Sequence, residues 1–393
     1  MELRTGYKQT DVGIIPDEWD AVEIGELEPF VTSGSRGWSH FYSDVGSPFI
    51  RITNLSRESI YLDLADLKLV ELPADSSEAH RTRLQAGDVL ISITADIGIV
   101  GYVDSRVQSP AYINQHIALV RFDPSNADGR FVSYVLASEQ PQKLFRALTD
   151  TGAKAGMSLL TVRRIQLPLP PPIEQRAIAA ALGDVDTLLE ALERLIAKKR
   201  DLKQAAMQQL LTSRTRLPGF ISDWEVKRLG DVLRVRHGKS QAAVQVAGGS
   251  YPILATGGEI GRANQCLHSK PSVLIGRKGT IDFPQYVETP FWTIDTLFYT
   301  EVSDMVHPRF LFYRFTMIPW LRYNEASGVP SLNAGTIESI ECPFPDVAEQ
   351  TAIANVLSDM DAEIEALEAR LEKARALKQG MMQELLTGRV RLV

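Results

Sequence analysis

The segment Ile165–Leu217, IQLPLPPPIEQRAIAAALGDVDTLLEALERLIAKKRDLKQAAMQQLLTSRTRL, returns as Ile340–Leu392, IECPFPDVAEQTAIANVLSDMDAEIEALEARLEKARALKQGMMQELLTGRVRL. About half of the positions match without a gap, at a constant offset of 175 residues. In the first copy Ile178, Val185 and Leu192 alternate with Leu182, Leu189 and Ile196; in the second, Ile353, Met360 and Leu367 alternate with Leu357, Ile364 and Leu371. Steps of four and three make the heptad seam of a helix that pairs with another. Prolines are tolerated before or at a first turn but not inside a helix, so Pro168, Pro170, Pro171 and Pro172, then Pro343 and Pro345, put the helix starts near Ile173 and Ala348. Each helix should run for close to 40 residues, about 60 Å.

Neither helix can bury its stripe alone. Two matching stripes in one chain predict an intramolecular antiparallel pair with a globular block at either end; packing of each helix on its own block, or pairing between chains, is the alternative. The seam breaks at Lys199 and Lys203, where the copy has Ala374 and Lys378. The expectation there is lysines reaching water at a splayed end.

A weaker echo aligns Trp19, Ile24 and Gly25 with Trp224, Leu229 and Gly230. Each helix thus follows its own globular block, and the blocks differ in length and sequence. The boundaries read as 1–164 for the first block, 165–213 for the first helix, 214–339 for the second block and 340–393 for the second helix. The predicted fold class is α+β: two mixed blocks and two long antiparallel coiled-coil helices in a duplicated, pseudo-two-fold architecture. Within the blocks, AGDVLISIT (86–94), KPSVLIG (270–276) and FIRITNL (49–55) read as strands. Residues 131–148 and 308–323 read as helices.

Composition bounds the function. Hydrophobic residues at 44% and charged residues at 23% match a folded globular protein rather than a disordered one. The longest apolar runs are far shorter than a membrane helix and the first twenty residues are polar, so a cytoplasmic location is expected. Cys266 and Cys342 are too far apart in sequence for a thiolate metal motif, and His40, His80, His116, His237, His268 and His307 are scattered. No metal site is expected. His237-Gly238-Lys239-Ser240 ends like a phosphate loop but has Leu233 where the first glycine belongs. No Gly-x-Gly-x-x-Gly and no Asn/Asp-Pro-Pro-aromatic box occurs, so the chain is not itself a methyltransferase. Glu225 and Lys227 form the Glu-x-Lys half of a nuclease motif, which reads better as the solvent face of a strand.

What remains is a set of loops rich in small residues, cations and aromatics. SGSRGWSHFY (33–42) puts Arg36, Trp38, His40 and Tyr42 at alternating positions, a cation beside flat rings on one face of an extended segment. TGAKAGMS (151–158), with Lys154, and SGVPSLN (327–333) are corresponding Gly-rich turns before the helical repeats. Arg234, Arg236, His237 and Lys239 cluster in the second block, as do Arg277 and Lys278. Such groups can hold phosphates and read base edges. The net charge of −7 argues that the chain alone holds DNA weakly and needs partners.

Two diverged blocks alternating with two near-identical helices, PLPPPIEQRAIA and its copy PFPDVAEQTAIA, the ends LLTSRTRL and LLTGRVRL, and AGDVLIS in the first block resemble the specificity subunit of type I restriction-modification enzymes over essentially the whole chain. The resemblance implies a non-catalytic subunit with two target-recognition domains, each reading one half of an asymmetric, split DNA sequence. The helices would act as ruler and docking surface for two modification (adenine-N6 methyltransferase) subunits, joined by restriction subunits. The chain would bind no cofactor of its own; S-adenosylmethionine, ATP and magnesium would sit on those partners. The rival readings are a protein-binding coiled-coil scaffold, which the acidic balance favours, and a metal-dependent nuclease using Glu225 and Lys227.

Overall fold

The computed structural model of the chain describes residues 5–73, 76–150 and 156–392. It divides into two units, Met1–Glu193 with Arg370–Val393, and Arg194–Ala369. Each unit therefore holds one globular block, the first part of one long helix and the last part of the other.

The long helices are Pro172–Leu210 and Val347–Leu385, 39 residues each, starting one residue before the expected positions. They run antiparallel. In the first unit Asp186 and Glu193 pair with Lys378 and Arg375; in the second, Lys199 and Lys203 pair with Glu363 and Asp361. Along the seam Val185, Leu192, Ile196, Ile364 and Leu371 are buried, and Leu189 and Leu367 are half-buried. The start of each seam has a second duty. Ile178 and Leu182 complete the core of the first block together with Leu385 and Leu386 from the far end of the other helix, and Ile353, Leu357 and Met360 do the same in the second block with Leu210 and Leu211.

The lysines that interrupt the seam do not splay toward water. Lys378 meets Asp186 at 2.7 Å, Lys199 meets Glu363 at 2.6 Å, and Lys203 meets Asp361. Carboxylates on the facing helix compensate the charges, which water would otherwise have to do. Tyr134 donates its hydroxyl to Asp186 and Tyr313 donates to Asp361, at 2.5 and 2.7 Å, so each pair is tied to its block as well. Burial and the neighbouring carboxylate push both phenols well above the usual tyrosine value.

The repeated Glu-Gln dipeptide anchors each helix start. Glu174 is fully buried and accepts from Trp19 Nε1 (3.0 Å) and from Arg391 Nε and Nη2 (2.6 and 2.8 Å). Glu349 accepts from Trp224 Nε1 (3.2 Å) and Arg216 Nε and Nη2 (2.5 and 2.6 Å). This explains the tryptophan echo. Gln175 and Gln350 donate to the carbonyls of Pro170 and Pro345 and accept from the backbone N–H of Asp128 and His307, which open block helices.

The blocks share a four-stranded antiparallel sheet. Its order is Phe30–Ser33, Ile117–Arg121, Val89–Ser92, Val100–Tyr102 in the first and Leu233–His237, Leu297–Val302, Ser272–Gly276, Gln285–Val287 in the second. The strands expected within 86–94 and 270–276 are the same sheet position in the two blocks. The reading of 49–55 as one strand is corrected. Strand Ser47–Ile50 gives way to a 3-10 turn at Ile52–Asn54, because the Asn54 carboxamide accepts from Arg51 N (3.0 Å) and donates to the Asp63 carbonyl (3.0 Å). The two block helices are also broken. Residues 131–148 lie in Gly129–Ala137 and Glu139–Asp150, split at extended Ser138, and the second helix stops at Met317 before Pro319.

Candidate nucleic-acid interface

Four chain segments meet at one end of each four-stranded sheet. In the second block these are 238–240, 277–280, 294–296 and 330–333. Backbone bonds lock them together: Lys239 N to Thr293 O (2.8 Å), Arg277 N to Thr296 O (2.8 Å), Gly279 N to Pro330 O (2.9 Å) and Leu332 N to Arg277 O (2.9 Å). A Cβ on Gly238 would collide with the Ile294 carbonyl oxygen, so the turn that carries Lys239 requires glycine.

The first block repeats the junction with different side chains. Gly34 N donates to Ile117 O (3.2 Å), Ile93 N to His116 O (2.9 Å) and Met157 N to Ile93 O (2.7 Å). A Cβ on Gly34 would strike the Asn114 carbonyl. Thr94 Oγ1 and His116 Nδ1 are 2.5 Å apart, and Gln115 Nε2 lies 2.9 Å from His116 Nε2. Rigid backbone under variable polar side chains is the arrangement that base-edge recognition needs.

The candidate residues divide between this loop end and elsewhere. Arg36 is exposed on the turn after strand Phe30–Ser33. Trp38 is not available for stacking on a ligand. It is buried against Phe49 and Tyr112, and its Nε1 donates to Glu78 (3.0 Å). The alternating face expected of 36–42 does not form, because Trp38–Phe41 is a 3-10 helix. His40 and Tyr42 remain exposed, His40 against the Phe41 ring and Tyr42 against Phe49. Lys154 lies outside the described residues.

In the second block the cluster separates. Arg234 and Arg236 stand on strand Leu233–His237; Arg234 donates to the Gly230 carbonyl and Arg236 is paired with Glu301 at 2.8 Å. His237 is exposed at the strand's end with its ring edge on Phe298. Lys239, Arg277 and Lys278 stand on the loop end itself, Lys239 and Lys278 exposed and Arg277 half-buried with Nη1 on the Asp295 carbonyl (3.2 Å).

Sequence reasoning missed the polar run Asn114-Gln115-His116, which sits between aliphatic Ile113 and Ile117 and was the available signal. It also missed Arg81, whose Nη1 donates to the Ser33 carbonyl at 2.6 Å and braces the Arg36 turn. Glu225 and Lys227 pair with each other at 3.0 Å on the strand Glu225–Arg228. Among the described residues no group of three or more His, Cys, Asp or Glu could hold a metal ion, and no helix is long and apolar enough to cross a membrane.

Comparison with known proteins adds a family. The model of the type I restriction modification DNA specificity domain matches twice, over residues 16–199 and 221–375. The chain is 24% identical over 418 residues to a protein of Methanocaldococcus jannaschii named as the MjaX type I restriction enzyme specificity subunit, covering 98% of this chain and 97% of that one. It is 25% identical over 167 residues to the EcoDI specificity subunit of Escherichia coli, covering 42% and 37%. Among solved structures, the S subunit of the type I restriction-modification system of M. genitalium superposes with a TM-score of 0.67 at 16% identity over 98% of both chains.

Proposed function

Because the chain belongs to the type I restriction-modification DNA specificity family, we propose that its two sheet-end loop clusters read the two halves of one split, asymmetric DNA target. As a specificity subunit the chain is non-catalytic, recognises DNA and assembles with other restriction-modification subunits. The finer assignment is ours. The first block reads with Arg36, Gln115 and His116 around the Gly34 turn, and the second with Lys239, Arg277 and Lys278 around the Gly238 turn. Two modification subunits dock on the helix pair, and restriction subunits join them. S-adenosylmethionine, ATP and magnesium belong to those partners, and the long helices set the spacing between half-sites.

One observation carries this reading: the same backbone junction recurs in both blocks, held by glycines that admit no side chain, while the residues displayed on it differ. A shared frame with unlike side chains suits two readers of unlike sequences. The test is sequence-selective, salt-dependent binding by the chain assembled with its modification subunits, compared with the Gly238→Ala variant. The variant should lose discrimination in one half-site and keep it in the other. Assembly without selective DNA binding would favour the rival protein-binding scaffold.

A further inference from the structure

We infer that the second block supplies the salt-dependent grip on the DNA backbone, whereas the first reads its half-site with little electrostatic attraction. This rests on the DNA-reading function proposed above. Residues 1–164 contain 16 basic and 22 acidic side chains, a net −6; residues 214–340 contain 14 and 11, a net +3. The loop ends reproduce the contrast. Lys239, Arg277 and Lys278 gather at one end of the second block's sheet, and among the described residues no carboxylate is ion-paired with any of them.

In the first block the equivalent end carries half-buried Thr94, Gln115 and His116, with Asn114 buried, and its nearby cations are engaged. Arg57 is ion-paired with Asp96, and Arg81 is spent on Thr32 and Ser33. Arg36 is the exposed cation left on the described part of that junction.

The chemistry follows from the groups. A lysine ammonium is a point charge suited to phosphate, and Arg277 already commits part of its guanidinium fork to the Asp295 carbonyl, which weakens bidentate base reading. Each phosphate neutralised releases counterions and contributes roughly 0.9 to the slope of log K against log salt. Amide and hydroxyl groups contribute base-edge hydrogen bonds without that release. The second block should therefore carry most of the salt-dependent affinity, and the first should add little of it.

The test measures binding of the assembled complex to a fluorescent duplex carrying its methylated sequence, and to an unrelated duplex, across a potassium chloride series. The variant Lys239→Gln/Arg277→Gln/Lys278→Gln should reduce the slope by about two to three on both duplexes. Removing three exposed charges from the first block, Arg36→Gln/Lys68→Gln/Arg83→Gln, should reduce it by about one at most. The double variant Lys239→Gln/Lys278→Gln, both exposed, should give about two if the triple variant melts early. Equal reductions from the two blocks, or none from the second, would overturn the inference alone. Wild-type complex that binds neither duplex at any salt would overturn the DNA-reading function beneath it.

Discussion

Lys378, in the last quarter of the second long helix, reaches Asp186 of the first at 2.7 Å, with side chains only 12% and 5% exposed. The repeat reproduces this relationship as Lys203 with Asp361, at 22% and 30% exposure. The same chemistry is thus dry in one unit and half-wet in the other. Breaking a buried pair strands a charge and costs about 3–5 kcal/mol, whereas exposed pairs contribute about 0–1 kcal/mol. Lys378→Ala should therefore destabilise the chain more than Lys203→Ala in urea denaturation. Equal effects would mean that water reaches Asp186.

The arginine clamps make the opposite comparison. Arg391 and Arg216 are 25% and 23% exposed, and each faces a glutamate with no exposed surface. Arg391→Ala and Arg216→Ala should then destabilise the chain by similar amounts. The replacement Glu174→Gln should cost less, since a carboxamide oxygen still accepts from Trp19. Denaturant midpoints of the three variants check this, and a clear inequality between the two arginine variants would contradict it.

How much of this was legible in sequence follows from the range of the forces involved. The prolines before Ile173 and Ala348 placed both helix starts to within a residue, and the seam Ile178 to Ile196 and its copy marked the paired faces, because both signals are local. Asp186 and Lys378 could not be matched, because their pairing depends on antiparallel register between distant segments. The Gly34 and Gly238 turns lay in stretches the sequence had flagged as loops. Their shared junction did not show, since it is made by backbone carbonyls that carry no residue identity. Trp38 was misplaced because an aromatic beside an arginine looks the same whether it faces solvent or fills a core.

Acid should loosen the second block. Burial holds His268 and His307 below the ordinary histidine value, and the Arg309 charge adds to this at His307. The folded chain therefore resists protons that the unfolded chain accepts near pH 6.5. Stability is full above about pH 6.5 and is lost as pH falls through the lowered folded values. Thermal melts from pH 8 to pH 5 should show this slope, and His268→Gln/His307→Gln should flatten it. An unchanged slope in that variant would assign the acid sensitivity to other groups.

Spacing should follow the helices. Inserting seven residues into each, after Leu192 and after Leu367, preserves the seam and adds roughly 10 Å of helix to each. The modified sequence should keep both halves and gain a longer gap. An unchanged gap would show that the helices do not measure it.

The most direct test is a map of methylated adenines in DNA from cells carrying the chain with its complete system. Two clusters of differing side chains on one repeated frame predict a single split sequence with two dissimilar halves. Methylation at an uninterrupted or self-symmetric sequence would contradict that assignment.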